Sequence, residues 1–179
     1  LGNNLVATRI KSGILIIQTQ RAMERIYFEE LIHSLENQSG GSQQSLFPIT
    51  IQFSSTDADI LRELSPELKY LGFELSEFGD NTFILHGTPS GLNNVPAKDV
   101  LEGILENFKK EIKGGKINKK VNLAKSMAES LAKRKNTQLE DEEIITLIDK
   151  LFATSAPEVS PDGKPIVRMV LLKDIEEMF

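Results

Sequence analysis

The stretch "NQSGGSQQS", Asn37 to Ser45, holds no apolar residue and carries Gly40-Gly41 at its centre. A segment with nothing to bury interrupts any core, so it separates the apolar pattern before it from the pattern after it. It reads as a flexible linker and as the best candidate boundary in the chain. At 179 residues, 40% hydrophobic and 26% charged, the chain can bury a sizeable core in one domain or two small ones.

Ahead of the linker, "LVATRIKSGILIIQ" is a hairpin turning at Lys11-Ser12-Gly13, with the glycine supplying the turn. The helix after it places Met23, Ile26, Tyr27, Leu31, Ile32 and Leu35 at helical spacing, with Glu24 expected in its first turn. Beyond the linker, "LFPITIQF" is a strand and "STDADILRELSPELKYLGF" a helical region. Pro66 should break or kink that region, with Ser65 capping a second short helix. "FELSEFGDNTFILHG" is a second hairpin, turning at Gly79-Asp80-Asn81. A helix follows with Val100, Leu101, Ile104, Leu105, Phe108 and Ile112 on one face, then another with Leu123, Met127 and Leu131 on one face and Ala124 and Ala128 nearby. "LEDEEIITLIDKLFAT" opens on acids, as a helix start should. A loop, the strand "IVRMVLL" and a terminal helical turn complete an α/β chain of α+β layers. The simplest packing returns the last strand to the first hairpin and leaves the middle segment as an insertion.

Several function classes are excluded. A net charge of -5 argues against a wholesale nucleic-acid binder. No cysteine means no disulfide, no thiolate metal site and no cysteine nucleophile, which fits an intracellular protein. The longest apolar runs are about five residues, far below the roughly 20 that span a bilayer, and no signal-peptide pattern is present. The start at Leu1 suggests a piece of a longer protein. No GxGxxG, P-loop or GxSxG element occurs. His33 and His86 stand apart from any second ligand and read as structural or surface residues.

Three segments carry possible chemistry. "KKEIKGGKINKK" gathers Lys109, Lys110, Lys113, Lys116, Lys119 and Lys120 against Glu111, either a DNA phosphate contact or a solvated helix end. "QQSLFPI" offers Gln43, Leu46, Phe47 and Pro48 as an extended docking peptide with polar and apolar anchors. Its alternative is that Leu46 or Phe47 begins a core strand. "QTQRAMERIYFE" joins a strand to a helix, where metal ligands are often placed. Yet it offers amides and Arg21 beside Glu24, a poor environment for a divalent cation.

These segments together resemble the MutL C-terminal domain family of DNA mismatch repair, over essentially the whole chain. The family signature is Asp-Gln-His-Ala, two residues, Glu, four residues, Glu. Glu24 and Glu29 match its glutamates, and Arg25 the arginine that often follows the first. Gln18, Thr19, Gln20 and Arg21 replace Asp, Gln, His and Ala. A second signature, Ala-Cys-Arg, falls on Ala128, Glu129 and Ser130. A third, Cys-Pro-His-Gly-Arg-Pro, falls on "SPDGKP", where Pro161, Gly163 and Pro165 match and Lys164 is close to Arg. Ser160 and Asp162 replace its Cys and His. The Gln43-Leu46-Pro48 spacing resembles the family's sliding-clamp motif.

The resemblance implies metal-dependent DNA nicking where the signatures are complete. Here Glu24, Glu29, Glu129 and Asp162 are remnants, so the expectation is a non-catalytic homodimerisation domain without a cofactor. The alternative is a DNA-nicking endonuclease using an unconventional carboxylate site at Glu24, Glu129 and Asp162. The expected organisation is a dimerisation lobe of residues 1–42 and 116–179 with an inserted regulatory lobe of 43–115. Ile14, Ile16, Ile144, Ile148 and Leu151 are the expected dimer interface. The implied partners are a second copy, the sliding clamp, other mismatch repair proteins and weakly DNA, with no membrane. The implied setting is the bacterial cytoplasm, nucleoid-associated during repair, where the domain ties two ATPase halves together.

Overall fold

The computed structural model describes residues 4–90, 92, 96–113, 118–134 and 139–178. The chain folds as α+β, with two antiparallel three-stranded sheets and six helices among the described residues. It divides into two compact units. One combines Leu1–Glu29 with Leu131–Phe179, and the other is Glu30–Ser130.

In the first unit, β1 (Leu5–Ile10) and β2 (Gly13–Gln18) form the hairpin, and β6 (Val167–Leu171) returns antiparallel to β2. The last strand therefore lies beside the first hairpin, as the element order suggests. The turn itself is Lys11-Ser12, and Gly13 already opens β2 opposite Ile10. Gly13 serves close approach: a Cβ there would overlap the carbonyl oxygen of Val170 on β6. Alternation puts Leu15 and Ile17 on one face of β2, packed with Ala22, Met23 and Ile26 of α1 (Thr19–Asn37). Ala132 of α4 (Lys119–Arg134), Leu147 and Leu151 of α5 (Asp141–Phe152), and Ile166 complete this core. Each fully buried aliphatic side chain there contributes about 1.5–3 kcal/mol.

In the second unit, β3 (Ser42–Gln52), β5 (Thr82–Pro89) and β4 (Glu74–Gly79) form the sheet in that order. Phe83, Leu85, Gly87 and Pro89 of β5 are buried and alternate with half-exposed residues, the pattern of a sheet covered on one face. The buried set includes Leu61, Leu64 and Leu68 of α2 (Ser55–Tyr70) and Val100, Leu101, Ile104, Leu105 and Phe108 of α3 (Ala97–Lys113). Asp80 and Asn81, both at positive φ, make the two-residue β4–β5 turn. The chain closes with α6 (Leu172–Glu176).

Four local expectations are corrected. Gly40-Gly41 is not a flexible linker: a Cβ on Gly40 would overlap the carbonyl of Tyr70, and Ser90 donates to the Gly41 carbonyl at 3.1 Å. Pro66 lies inside a continuous α2 on its exposed side, and burial of Leu61, Leu64 and Leu68 outweighs the ring's cost of about 3 kcal/mol. Glu24 is beyond the first turn of α1, which starts at Thr19 and holds no acid in that turn. On α4 the buried stripe is Leu123, Ala124, Met127, Ala128 and Ala132, whereas Leu131 is only partly buried. The side chain of Ile112 lies outside the described residues.

Candidate functional site

The junction of β2 and α1 has no intervening loop, since Gln18 ends the strand and Thr19 starts the helix. A helix start leaves N–H groups without intrahelical partners. Gln18 answers that need, its Oε1 accepting from the Arg21 amide at 2.6 Å in the N-cap position. The amide at the family's aspartate position is therefore a helix cap.

The next residues along α1 bind the segment between α5 and β6. Arg21 Nη1 donates to the Pro165 carbonyl at 2.8 Å, and Arg25 Nε donates to the Val159 carbonyl at 2.8 Å. Arg25 also lies 5.7 Å from the Phe28 ring centre and 3.6 Å from Glu29. The Glu29 carboxylate accepts from the Ser155 amide at 3.0 and 3.1 Å and from its hydroxyl at 2.7 Å. Gln20 Nε2 donates to Glu24 Oε1 at 3.4 Å.

The "SPDGKP" segment is a tight turn. Gly163 has φ +77°, a left-handed conformation that glycine adopts without strain. Ser160, 2% exposed, accepts the Gly163 amide on its carbonyl at 2.8 Å and the Lys164 amide on its hydroxyl at 3.1 Å. The serine at the family's cysteine position thus closes the turn. Ser130, at the arginine position of the second signature, is buried, and a Cβ on Gly103 would lie 2.5 Å from its hydroxyl.

These residues do not fit a divalent metal. Gln18, Glu29 and Ser160 already bond main-chain groups, and Arg21 brings a guanidinium to the same helix end. Glu24, Glu129 and Asp162 each have interaction partners as well. Among the described residues, no group of three or more His, Asp or Glu side chains could hold a metal ion. Both histidines lie elsewhere: His33 is exposed on α1, and His86 Nε2 is 2.8 Å from the Ser76 hydroxyl across β4 and β5.

Of the six clustered lysines, Lys109 and Lys119 are paired with acids. Lys109 Nζ is 2.6 Å from Asp57 Oδ1, and hydrogen bonding to Lys109 is the main cause holding the Asp57 carboxyl below its ordinary pKa. Lys119 Nζ lies 3.3 Å from Glu67 and 3.8 Å from Glu63. Lys110 and Lys120 are exposed. Lys116 and the side chain of Lys113 lie outside the described residues.

The docking segment occupies the edge strand β3. Its register on β5 jumps from Gln44 opposite Gly87 to Ile49 opposite Leu85. Ser45 to Pro48 therefore bulge outward. Leu46 is 92% exposed and Phe47 83%, so neither begins a core strand. Gln43 and Pro48 are exposed too.

Of the expected interface residues, Ile14 is at the surface, and Ile16, Ile144 and Ile148 are half-buried. Leu151 is fully buried in the first unit's core, so it cannot form that surface; its helical period selects the inward face. Leu5 on the first hairpin and Ile145 and Phe152 on α5 are also substantially exposed. The signal for α5 was a surplus: six of its twelve residues are large and apolar, more than one buried stripe requires.

A protein-family model, the MutL C terminal dimerisation domain, matches residues 1–139. The DNA mismatch repair protein MutL of Phocaeicola vulgatus is 34% identical over 176 residues, covering 97% of this chain and 28% of that protein. The MutL of Chloroherpeton thalassium is 35% identical over 179 residues, covering 100% of this chain and 28% of that protein. That of Prosthecochloris aestuarii is 32% identical, covering 100% and 29%. The chain thus spans less than a third of these relatives' length. No helix among the described residues is long and apolar enough to cross a membrane. The chain belongs to the MutL C-terminal dimerisation domain family of DNA mismatch repair.

Proposed function

We propose that this domain is a non-catalytic homodimerisation support that tethers two ATPase halves of a bacterial mismatch repair protein. The observation carrying this reading is the outward face of the β1-β2-β6 sheet. Leu15 and Ile17 face the core, so Ile14 and Ile16 point the other way. Register sets Ala7 and Val170 beside them, with Leu5 next along β1 and Arg9 and Arg168 at the margins. An apolar strip rimmed by arginines suits an interface, and self-complementarity across a two-fold axis suits a dimer. Ile145 and Phe152 on α5 supply further apolar surface. Dimerisation works by mass action, raising the concentration at which the attached halves meet.

The proposed organisation assigns residues 1–42 and 116–179 to dimerisation and 43–115 to regulation, functional bounds that extend the first compact unit beyond Leu1–Glu29 and Leu131–Phe179. The regulatory lobe presents Gln43, Leu46, Phe47 and Pro48 to the sliding clamp, and exposure of Leu46 and Phe47 supports this role. Lys110 and Lys120, both exposed, are candidates for weak DNA contact in the cytoplasm, together with Lys113 and Lys116 of the same cluster. Other repair proteins would join on the same support.

Sedimentation equilibrium at micromolar concentration should give a dimer. Replacing Ile14 and Ile16 together with aspartate should give a monomer with unchanged helical circular dichroism. A wild-type chain that stays monomeric would remove the proposal. Supercoiled plasmid incubated with manganese should remain intact. Nicking lost in Glu24→Ala would instead favour the carboxylate endonuclease.

A further inference from the structure

The clamp-docking reading leaves open whether the segment binds as a peptide peeled from the sheet or as it stands. On either side of the bulge β3 is seated. Ser42, Gln43 and Gln44 pair with Pro89, Thr88 and Gly87, and Ile49 to Gln52 pair with Leu85 to Thr82. Gln44 is also latched across the sheet, its Nε2 donating to Glu74 Oε2 at 2.5 Å. Gly87 lets this corner close: a Cβ there would meet the Ser42 hydroxyl at 2.5 Å, and the Gln43 carbonyl and Glu74 carboxyl carbon at 3.3 Å.

Between these anchors four residues, Ser45 to Pro48, stand opposite the single residue His86. The bulge is shaped from within by the Ser45 hydroxyl, which donates to the Phe47 carbonyl at 2.7 Å, and by the fixed φ of Pro48. Leu46 and Phe47 project from it, and Ile49, 47% exposed, continues the apolar surface along the strand. A preformed apolar tip is recognised without the ordering cost that a free peptide carries.

Resting on the docking reading above, we infer that the bulge is the recognition element in place. A partner's apolar groove takes Leu46 and Phe47 while Ser42 to Gln44 remain in the sheet. The complementary surface is therefore a cleft for two adjacent large apolar side chains, and the Gln44 amide, held by Glu74, makes no contact with it.

The test measures binding of the chain to an immobilised bacterial sliding clamp. The chain has no cysteine, so Ser42→Cys with Pro89→Cys introduces one thiol pair across β3 and β5, and non-reducing electrophoresis separates the intramolecular bridge from any disulfide between copies. Oxidised and reduced forms of this double variant should bind within twofold of each other. Binding by the reduced form alone would overturn the inference. Glu74→Ala removes the latch without touching the bulge and serves where the bridge does not form. It should leave affinity within twofold, whereas a several-fold gain means that peeling limits binding and overturns the inference. Wild-type protein that is not retained at all sinks the docking reading itself, a result distinct from both.

Discussion

The two family-motif regions, the head of α1 and the β3 bulge, are opposites. At the head of α1 the motif positions hold polar groups, and Gln18, Arg21, Arg25 and Glu29 are all bonded to this chain's own backbone. At the bulge the motif positions hold large apolar groups, and Leu46 and Phe47 touch solvent over most of their surface. Polar groups satisfied internally tie the fold together. Apolar groups left uncovered are available to another molecule.

That contrast can be broken or sharpened by mutation. The largest effect is expected at the core behind the first region. Leu151→Ala should cost about 3 kcal/mol in urea unfolding, and a cost below about 1 kcal/mol would contradict its buried placement. Next is the cap, where Gln18→Ala should cost about 1 kcal/mol while Gln18→Asp, which can still cap, holds stability. If both cost the same, Gln18 is not capping.

A smaller effect belongs to the Lys109–Asp57 pair in the second unit. The folded-state pKa of Asp57 is lowered, so its stabilisation is present above the unfolded aspartate value. It is lost as pH falls through the lowered folded value. Asp57→Asn should therefore cost at most about 1 kcal/mol at neutral pH and flatten the acid limb of a stability profile. An acid limb unchanged in the variant would assign that limb to other carboxylates.

The smallest effect on stability is expected at the bulge. Leu46→Ala with Phe47→Ala should shift unfolding by less than about 0.5 kcal/mol while abolishing clamp retention. A large destabilisation would return these residues to the core and erase the contrast.

Much of the fold was legible because period-2 and period-3.6 patterns report backbone state directly. The α3 stripe from Val100 to Phe108 was read from spacing and is buried throughout. Pro66 and Gly40-Gly41 misled because local propensity was overruled by packing: Leu61, Leu64 and Leu68 hold α2 through the proline, and Tyr70 leaves Gly40 no room for a side chain. At the site, the shortage of metal donors was visible in residue types alone. The work that Gln18 and Ser160 do instead was not, because it depends on which backbone amides the turns bring beside them.

The sequence by itself determined the succession of helices and hairpins, the family, and the replacement of the signature Asp, His and Cys residues. Only the tertiary structure decided that Leu151 faces inward, that Leu46 and Phe47 face outward, and that Lys109 and Lys119 are paired. The reason is distance along the chain. Periodicity is written within a few residues, whereas Arg21 meets Pro165 across 144 positions and Lys109 meets Asp57 across 52. Whether a side chain is core, scaffold or surface is set by such partners, and no local pattern names them.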